Sequence, residues 1–323
     1  MNYRKLGCSG LKVSELGLGT NSFGKRADRE ESIRIVREAI DLGINFIDTA
    51  NIYAGTASET IIGEALEGRR NEVVLATKAG LVFGPGPNDR GSSRFHLQRQ
   101  LDESLRRLRT DYVDLYQIHT FDPDTPLEET LRALDDMVRA GKVRYIGASN
   151  YAAWELMKAI GISERLGLNR FVSTQVSYSL ADRTPERELV PMSLDQGVGI
   201  IPYFPLAGGI LTGKSGSDRA PAGSRAATDP NFSRFFDDGR LELGRRVRQL
   251  AGEAGVAPGV LSIHWLIRQP AVATVIVGAT SAAQLRENAA AVGLDLSSSQ
   301  LAQLDEASRT YKLGEPFANY RLS

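Results

Sequence analysis

The chain has 323 residues, 42% hydrophobic and 24% charged, enough for two average domains or one large α/β barrel with a full core. Its 39 Lys and Arg balance 39 Asp and Glu, which leaves no electrostatic basis for nucleic acid or an anionic membrane as the main partner. A single cysteine, Cys8, excludes an intramolecular disulfide. The opening "MNYRKLGCSG" has no apolar run of the signal-peptide kind, and the mostly apolar stretch 198–211 is too short and too rich in Pro and Gly to span a bilayer, so a cytoplasmic protein is expected.

In chain order, "YRKLG" and "LKVSEL" flank "CSG" and predict a small N-terminal β-hairpin. Cys8 has no basic neighbour closer than Lys5, so it reads as a turn residue and not a reactive thiol. Eight short β-branched runs follow, at 14–20, 44–49, 72–78, 112–119, 143–149, 171–179, 198–204 and 272–279. Several are apolar almost throughout, as expected of strands buried on both faces. Between them lie segments with apolar residues three and four apart, the pattern of amphipathic helices. In "ESIRIVREAIDLG", Ile33, Val36, Ile40 and Leu42 lie on or near one face and Gly43 stops the helix. "PLEETLRALDDMVRAGK" opens with Pro126 and acids and ends in basic residues, as a helix dipole favours. Segments 93–108, 151–167 and 281–293 read similarly.

Eight strand–helix alternations predict an α/β fold, a (β/α)8 TIM barrel, with residues 1–323 as a single domain. The one long irregular stretch, 207–240, follows the seventh strand, and a loop of that length in a compact domain is usually functional.

In such a barrel the chemistry sits at the C-terminal ends of the strands. Those positions hold Asp48 after the second run, Tyr53 in the next loop, Lys78 ending the third and His119 ending the fourth. Ser149 and Asn150 end the fifth, Gln175 lies in the sixth and Tyr203 in the seventh. Lys78 is the most informative, because an ammonium at the end of a buried strand needs an anionic partner, which Asp48 can supply. The set suits proton donation to a carbonyl oxygen. A free phenol ionises near pH ~10, and a neighbouring ammonium favours its phenolate, while His119 can hold the oxygen or share in the transfer. No side chain donates hydride, so a reduction requires a nicotinamide. Tyr203 offers an aromatic face, and Asn150 and Gln175 can bind a carboxamide. The three histidines have no metal-ligand spacing.

Over essentially its whole length the chain resembles the aldo-keto reductase superfamily. The motifs are "GLGT" (17–20), "GINFIDTANIYAGTASETIIGEAL" (43–66), "ATKAG" (76–80), "YVDLYQIHTFDP" (112–123), "GKVRYIGASN" (141–150), "YFPLAGGILTGK" (203–214) and "GATSAAQLREN" (278–288). The closest likeness is to bacterial relatives of the β-subunits of voltage-gated potassium channels. The resemblance implies a barrel that binds NADP(H) without a Rossmann motif, and indeed no GxGxxG is present. It implies Asp48, Tyr53, Lys78 and His119 as a catalytic tetrad reducing a small carbonyl substrate, with Tyr53 as general acid. Further cofactor contacts are implied at Gly19, Thr20, Asn21 and Asp48, at Ser149, Asn150 and Gln175 around the nicotinamide amide, and at Tyr203 on its ring. Phe204, Pro205, Leu206 and Gly208 follow, with Phe204 standing where Ser is usual, so that a phosphate contact there falls to the backbone. Lys214 and Arg225 would hold the 2′-phosphate, and Gly278, Thr280, Gln284, Glu287 and Asn288 the adenosine end. The channel subunits carry Asn where this chain has His119, which favours a working reductase over a non-catalytic NADP(H)-sensing subunit.

One motif points elsewhere. "GGILTGKS" (208–215) spells a phosphate-binding P-loop, but such a loop must run from a strand directly into a helix, and the following "GSDRAPAGSRAATDP" cannot start one. A P-loop NTPase is therefore a remote alternative. The substrate pocket is expected from loops 22–30, 80–92, 120–125 and 207–240. Phe23, Phe83 and Phe121 either line it for apolar aldehydes or anchor loops, while Arg26 and Arg94 are candidates for an anionic sugar phosphate.

Overall fold

The computed structural model describes residues 1–213, 236–314 and Leu322. All eight β-branched runs form strands: β3 (Leu16–Gly19), β4 (Phe46–Asp48), β5 (Val74–Ala79), β6 (Val113–Ile118), β7 (Val143–Ser149), β8 (Ser173–Ser177), β9 (Gly199–Tyr203) and β10 (Val275–Gly278). They pair in parallel in the order β10-β3-β4-β5-β6-β7-β8-β9. The ring closes just before β10, where Ile200 N–H donates to Ala271 O at 2.8 Å and Ala273 N–H to Ile200 O at 2.9 Å. Helices lie between the strands, as in a (β/α)8 barrel. They are α1 (Arg29–Asp41), α2 (Ala57–Ala65), α3 (Arg94–Leu108), α4 (Leu127–Arg139), α5 (Ala153–Leu166), α6 (Leu189–Gln196), then α7 (Asp238–Ala254) and α8 (Pro258–Ile267) before β10, and α9 (Ala282–Ala289) and α10 (Ser298–Ala307) after it. No single helix among the described residues is long and apolar enough to cross a membrane.

The helices begin where side chains can satisfy their free N–H groups. Asp28 caps α1 by accepting from Glu31 N–H, Ser93 caps α3 from His96 N–H, and Asp237 caps α7 from Arg240 N–H. In α1 the buried stripe is Ile35, Val36, Ala39 and Ile40, one turn-face over from Ile33 and Leu42, which are only partly covered.

Side chains on a strand alternate between two faces, and here each face has its own core. Leu16, Leu18, Ile47, Leu75, Tyr116 and Ile118 point out and pack under the helices. Phe46, Val74, Ala76, Leu115, Ile201 and Ile276 point in and fill the lower barrel. The predicted hairpin, β1 (Tyr3–Lys5) with β2 (Lys12–Ser14), closes the N-terminal end of that interior by inserting Leu6 and Val13. Its turn fits closely enough to require glycine: at φ +58° a Cβ on Gly7 would lie 2.4 Å from Val172 O and 2.5 Å from Gly197 O. With the bottom plugged and the middle packed, the C-terminal mouth is left for chemistry.

Phe46 is fully buried in this interior layer. Phe46→Ala is expected to lower unfolding stability by about 3–5 kcal/mol through a cavity the rigid ring of strands cannot collapse. Urea unfolding followed by circular dichroism measures it, and a loss under about 1 kcal/mol would contradict the packed-interior account.

Candidate functional site

The inward alternation that fills the lower barrel carries one polar residue on several strands to the mouth. Phe46 leads to Asp48, Val74 and Ala76 to Lys78, and Leu115 through Gln117 to His119. Asp48, Tyr53, His119, Ser149, Asn150, Gln175 and Tyr203 all line one cleft of about 600 Å³. Lys78 lies beneath its floor, fully buried.

The centre of the site is a buried ion pair. Lys78 Nζ lies 2.5 Å from Asp48 Oδ2, donates to Thr49 O at 2.8 Å, and reaches the Tyr53 hydroxyl at 3.4 Å. The second carboxylate oxygen, Asp48 Oδ1, accepts from Gln175 Nε2 at 2.9 Å and Gln117 Nε2 at 3.1 Å. Burial works against the charge on Lys78, but Asp48 and Tyr53 beside it outweigh that cost and hold its pKa above the ordinary lysine value. His119 behaves in the opposite way. Burial, and then the Lys78 charge, press its pKa well below the ordinary value, so the imidazole is neutral at physiological pH. Its Nδ1 has no hydrogen-bond partner, and its ring meets that of Tyr53 edge-on at 6.0 Å.

Tyr53 is not on a strand, so its position depends on how the loop after β4 is held. Thr20 Oγ1 donates to Asp48 O at 2.9 Å, Ser58 Oγ to Thr20 Oγ1 at 2.9 Å, and Ser58 Oγ shares a hydrogen with Thr49 Oγ1 at 3.0 Å. Asn51 N–H donates to Lys78 O at 3.0 Å. Directly after Tyr53 the backbone is left-handed at Ala54, Gly55 and Thr56 (φ 52°, 61° and 82°), which reverses the chain into α2. Non-glycine residues pay for that conformation, and the hydroxyl network brackets the turn, joining Thr49 before it to Ser58 after it.

On the opposite wall, Asn150 is also left-handed (φ 57°). Its amide donates to His119 O at 2.9 Å and Ser149 Oγ at 3.1 Å, and accepts from the Tyr203 hydroxyl at 2.7 Å. Ser149 Oγ in turn donates to Gln175 O at 3.0 Å. The cleft continues past Phe204, Pro205, Leu206 and Gly208 on one side and Gly19, Thr20, Asn21, Gly278 and Gln284 on the other.

Among the other sequence-predicted residues, Gln284 accepts from Thr280 N–H and Oγ1, and Asn288 is buried with its amide 3.5 Å from Gly278 O. Thr280, Glu287 and Asn288 are not on the cleft wall itself, and Glu287 is exposed. Lys214 and Arg225 lie outside the described residues. The P-loop spelling has no P-loop shape over the residues described. Four residues separate β9 from Gly208, and 207–212 form a 3-10 turn broken by left-handed Gly208 and Gly209.

Sequence reasoning missed Gln117, Ser58 and Glu59. Glu59 is fully buried, accepts from Thr77 Oγ1 at 2.5 Å and pairs with Arg107 Nε at 2.7 Å, tying α2 and α3 to the strand that bears Lys78. Gln117 stands two before His119 on the inward face of β6, above the apolar Leu115, a signal that exists only once that face is known. Phe23 is fully buried and Phe121 packs on Tyr151 and Trp154, so these two anchor loops, whereas Phe83 is exposed and off the cleft wall. Arg94 is paired with Asp136, away from the cleft, whereas Arg26 lines it.

The chain matches the Aldo/keto reductase family over residues 15–309. It is 40% identical over 320 residues to the uncharacterized oxidoreductase YrpG of Bacillus subtilis, covering 95% of each chain. It is 38% identical over 303 residues to a probable voltage-gated potassium channel subunit beta of Arabidopsis thaliana, covering 90% of this chain and 91% of that one. To the L-glyceraldehyde 3-phosphate reductase of Escherichia coli it is 35% identical over 320 residues, covering 95% of this chain and 92% of that one.

The lowered His119 pKa has a consequence for stability. The unfolded chain takes up a proton near pH ~6.5 that the folded site refuses, so the contribution is complete above that pH and lost as pH falls from there toward the lowered folded value. Buried His96 and His264 are lowered in the same direction, also chiefly by burial. The melting temperature is expected to fall between pH 7 and 5, and His119→Asn to fall with a shallower slope. Parallel slopes in differential scanning fluorimetry would contradict this account of His119.

Proposed function

The chain belongs to the aldo/keto reductase family and is an oxidoreductase acting on carbonyl groups, and from this and the cleft we propose that it reduces aldehydes and ketones to alcohols with NADPH, Tyr53 supplying the proton. The observation that carries the reading is the Tyr53 hydroxyl at 3.4 Å from a buried Lys78 ammonium that is itself paired with Asp48. The positive charge stabilises the phenolate left behind when the proton goes to the carbonyl oxygen. Asp48, held by Gln117 and Gln175, keeps the lysine charged and aimed. Because His119 is neutral, it serves better as a hydrogen-bond donor that orients the carbonyl oxygen than as the proton source. This division of labour supports Tyr53 as the acid.

The residues present fit a nicotinamide dinucleotide. A Cβ built on Gly278 or on Gly209 would meet nothing within 4 Å, so at both points the bare backbone faces open space beside the cleft. Ser149, Asn150 and Gln175 bring hydroxyl and amide groups together beside the floor, polar groups of the kind that pair with a carboxamide. These three would hold the amide, Tyr203 the ring, and the backbone of Phe204 to Gly208 with Gly19 to Asn21 the phosphates. When bound, the nicotinamide supplies the hydride that no side chain can. The preference for NADPH rests on Lys214 and Arg225, with Gly278, Thr280, Gln284, Glu287 and Asn288 toward the adenosine.

A second reading, a non-catalytic NADP(H)-sensing subunit, is favoured by the names of the plant and yeast relatives, which are described as probable or putative channel β-subunits. The retained His119 and the complete tyrosine–lysine–aspartate array support turnover instead.

Tyr53→Phe is expected to abolish NADPH oxidation by an aldehyde panel while leaving NADPH affinity within about twofold, since only the proton donor is removed. Retained turnover in that variant would overturn the role of Tyr53, and wild-type protein inert on every aldehyde would favour the sensor. Lys214→Ala and Arg225→Ala are expected to weaken NADPH binding about tenfold or more and NADH little, because only NADPH carries the extra phosphate. Equal losses in fluorescence titrations with the two cofactors would remove that assignment.

A further inference from the structure

Two strands carry the buried ion pair, Asp48 at the end of β4 and Lys78 near the end of β5, and the segment that bears Tyr53 is tied to both from behind. Side chains alternate along β5, so Thr77, between inward-facing Ala76 and Lys78, turns away from the barrel interior. Ser58 and Glu59, consecutive in the first turn of α2, reach the neighbours of the pair. Ser58 Oγ shares a hydrogen with Thr49 Oγ1 at 3.0 Å, beside Asp48, and Glu59 Oε1 accepts from Thr77 Oγ1 at 2.5 Å, beside Lys78. All four side chains are fully buried.

Glu59 does not serve its own helix. "TASE" (56–59) spells a capping box, in which Thr56 would accept from Glu59 N–H and the Glu59 carboxylate would reach back to Thr56 N–H. The box does not form, because Thr56 is left-handed at φ 82° and makes no side-chain cap hydrogen bond. The carboxylate turns instead toward β5 and toward α3, where Arg107 Nε donates to Oε2 at 2.7 Å. The close approach of α3 requires Gly63, since a Cβ there would lie 2.5 Å from Arg107 O. A buried carboxylate–arginine pair costs several kcal/mol in desolvation and stabilises a fold little more than apolar packing would. What it contributes here is placement, for both carboxylate oxygens are committed to partners fixed in a strand and a helix.

We propose that Glu59 is a positioning residue for the proton transfer, its clamp on Thr77 holding the Tyr53 hydroxyl at the Lys78 ammonium. The proposal rests on the reductase reading and adds to it a residue on the far side of β5 from the cleft. Between Tyr53 and Glu59 the chain turns through left-handed Ala54, Gly55 and Thr56, and the far end of that turn is held at two adjacent points. Ser58 ties it to the strand that ends in Asp48, and Glu59 to the strand that carries Lys78. With one tie removed the turn pivots about the other, and the 3.4 Å approach of the Tyr53 hydroxyl to Lys78 Nζ is the distance that changes. A displacement of about 1 Å between reacting groups costs up to about a hundredfold in rate.

The test is steady-state kinetics of the full-length protein with NADPH and the aldehyde panel. Thr77→Val, nearly isosteric, removes the strand side of the clamp and leaves the Glu59–Arg107 pair. It is expected to lower kcat about tenfold or more, with KM and NADPH affinity within about twofold. The ratio of kcat in H2O to kcat in D2O is expected to rise, as proton donation becomes the slow step. Glu59→Gln keeps the clamp, since its amide oxygen accepts from Arg107 Nε and its amide N–H donates to Thr77 Oγ1, and is expected to retain kcat within about threefold. Wild-type kcat in Thr77→Val, a kcat loss there with no change in the solvent isotope effect, or a loss matched by the unfolded fraction in circular dichroism overturns the positioning role. So does a Glu59→Gln variant as impaired as Thr77→Val. Each of these leaves the reductase reading in place, whereas a wild type inert on every aldehyde overturns both.

Discussion

An ammonium without water around it must be matched by a carboxylate, and that requirement at Lys78 organises the rest of the site. Removing both charges from water costs several kcal/mol per ion, and their attraction offsets this only when the remaining lone pairs and protons are satisfied. Here they are. Lys78 uses Asp48, Thr49 O and the Tyr53 hydroxyl, and Asp48 completes its shell with Gln117 and Gln175. Five side chains from four strands and one loop are therefore locked together by a single electrostatic constraint. Tyr53 is part of that lock, its hydroxyl lying 3.4 Å from the ammonium whose burial Asp48 makes tolerable.

The barrel supplies the geometry for this lock through simple alternation. Every second residue of each strand points in, the lower ones are apolar and fill the plugged interior, and the uppermost ones emerge as the polar floor. Rigid strands place Asp48, Lys78 and His119, whereas Tyr53 depends on a strained loop held by Thr20, Thr49 and Ser58. Burial also separates the two candidate proton carriers. It leaves His119 neutral, while the Tyr53 hydroxyl stands 3.4 Å from the lysine charge.

Much of this was legible from the chain itself, for identifiable reasons. Several of the eight strands were readable because runs buried on both faces are nearly all apolar, and the hairpin because its turn residues stand between two short alternating runs. That Asp48, Tyr53, Lys78 and His119 come together was readable because each ends or follows a strand run, and a barrel brings those ends to one mouth. Helix α8 was not, since Val260 to Ile267 are buried all round and leave no amphipathic period to detect. Gln117 escaped because polarity within a strand carries meaning only once the inward face is known. The aromatic loop residues were ambiguous for a related reason: composition cannot tell whether Phe23 or Phe121 turns toward a cleft or away from it, and packing turned both away.

The sequence by itself determined the fold class and which polar residues stand at the ends of the strand runs, because each depends on local pattern and on what must follow it in the chain. Tertiary structure alone decided the partners: which amides complete the shell of Asp48, which hydroxyls hold the Tyr53 loop, and that Arg26 stands with Lys25 on the cleft wall while Arg94 is spent on Asp136. Those choices join residues tens to more than a hundred positions apart. Their physical cause is the closure of the sheet into a ring, which brings eight strand ends to one mouth irrespective of their distance along the chain.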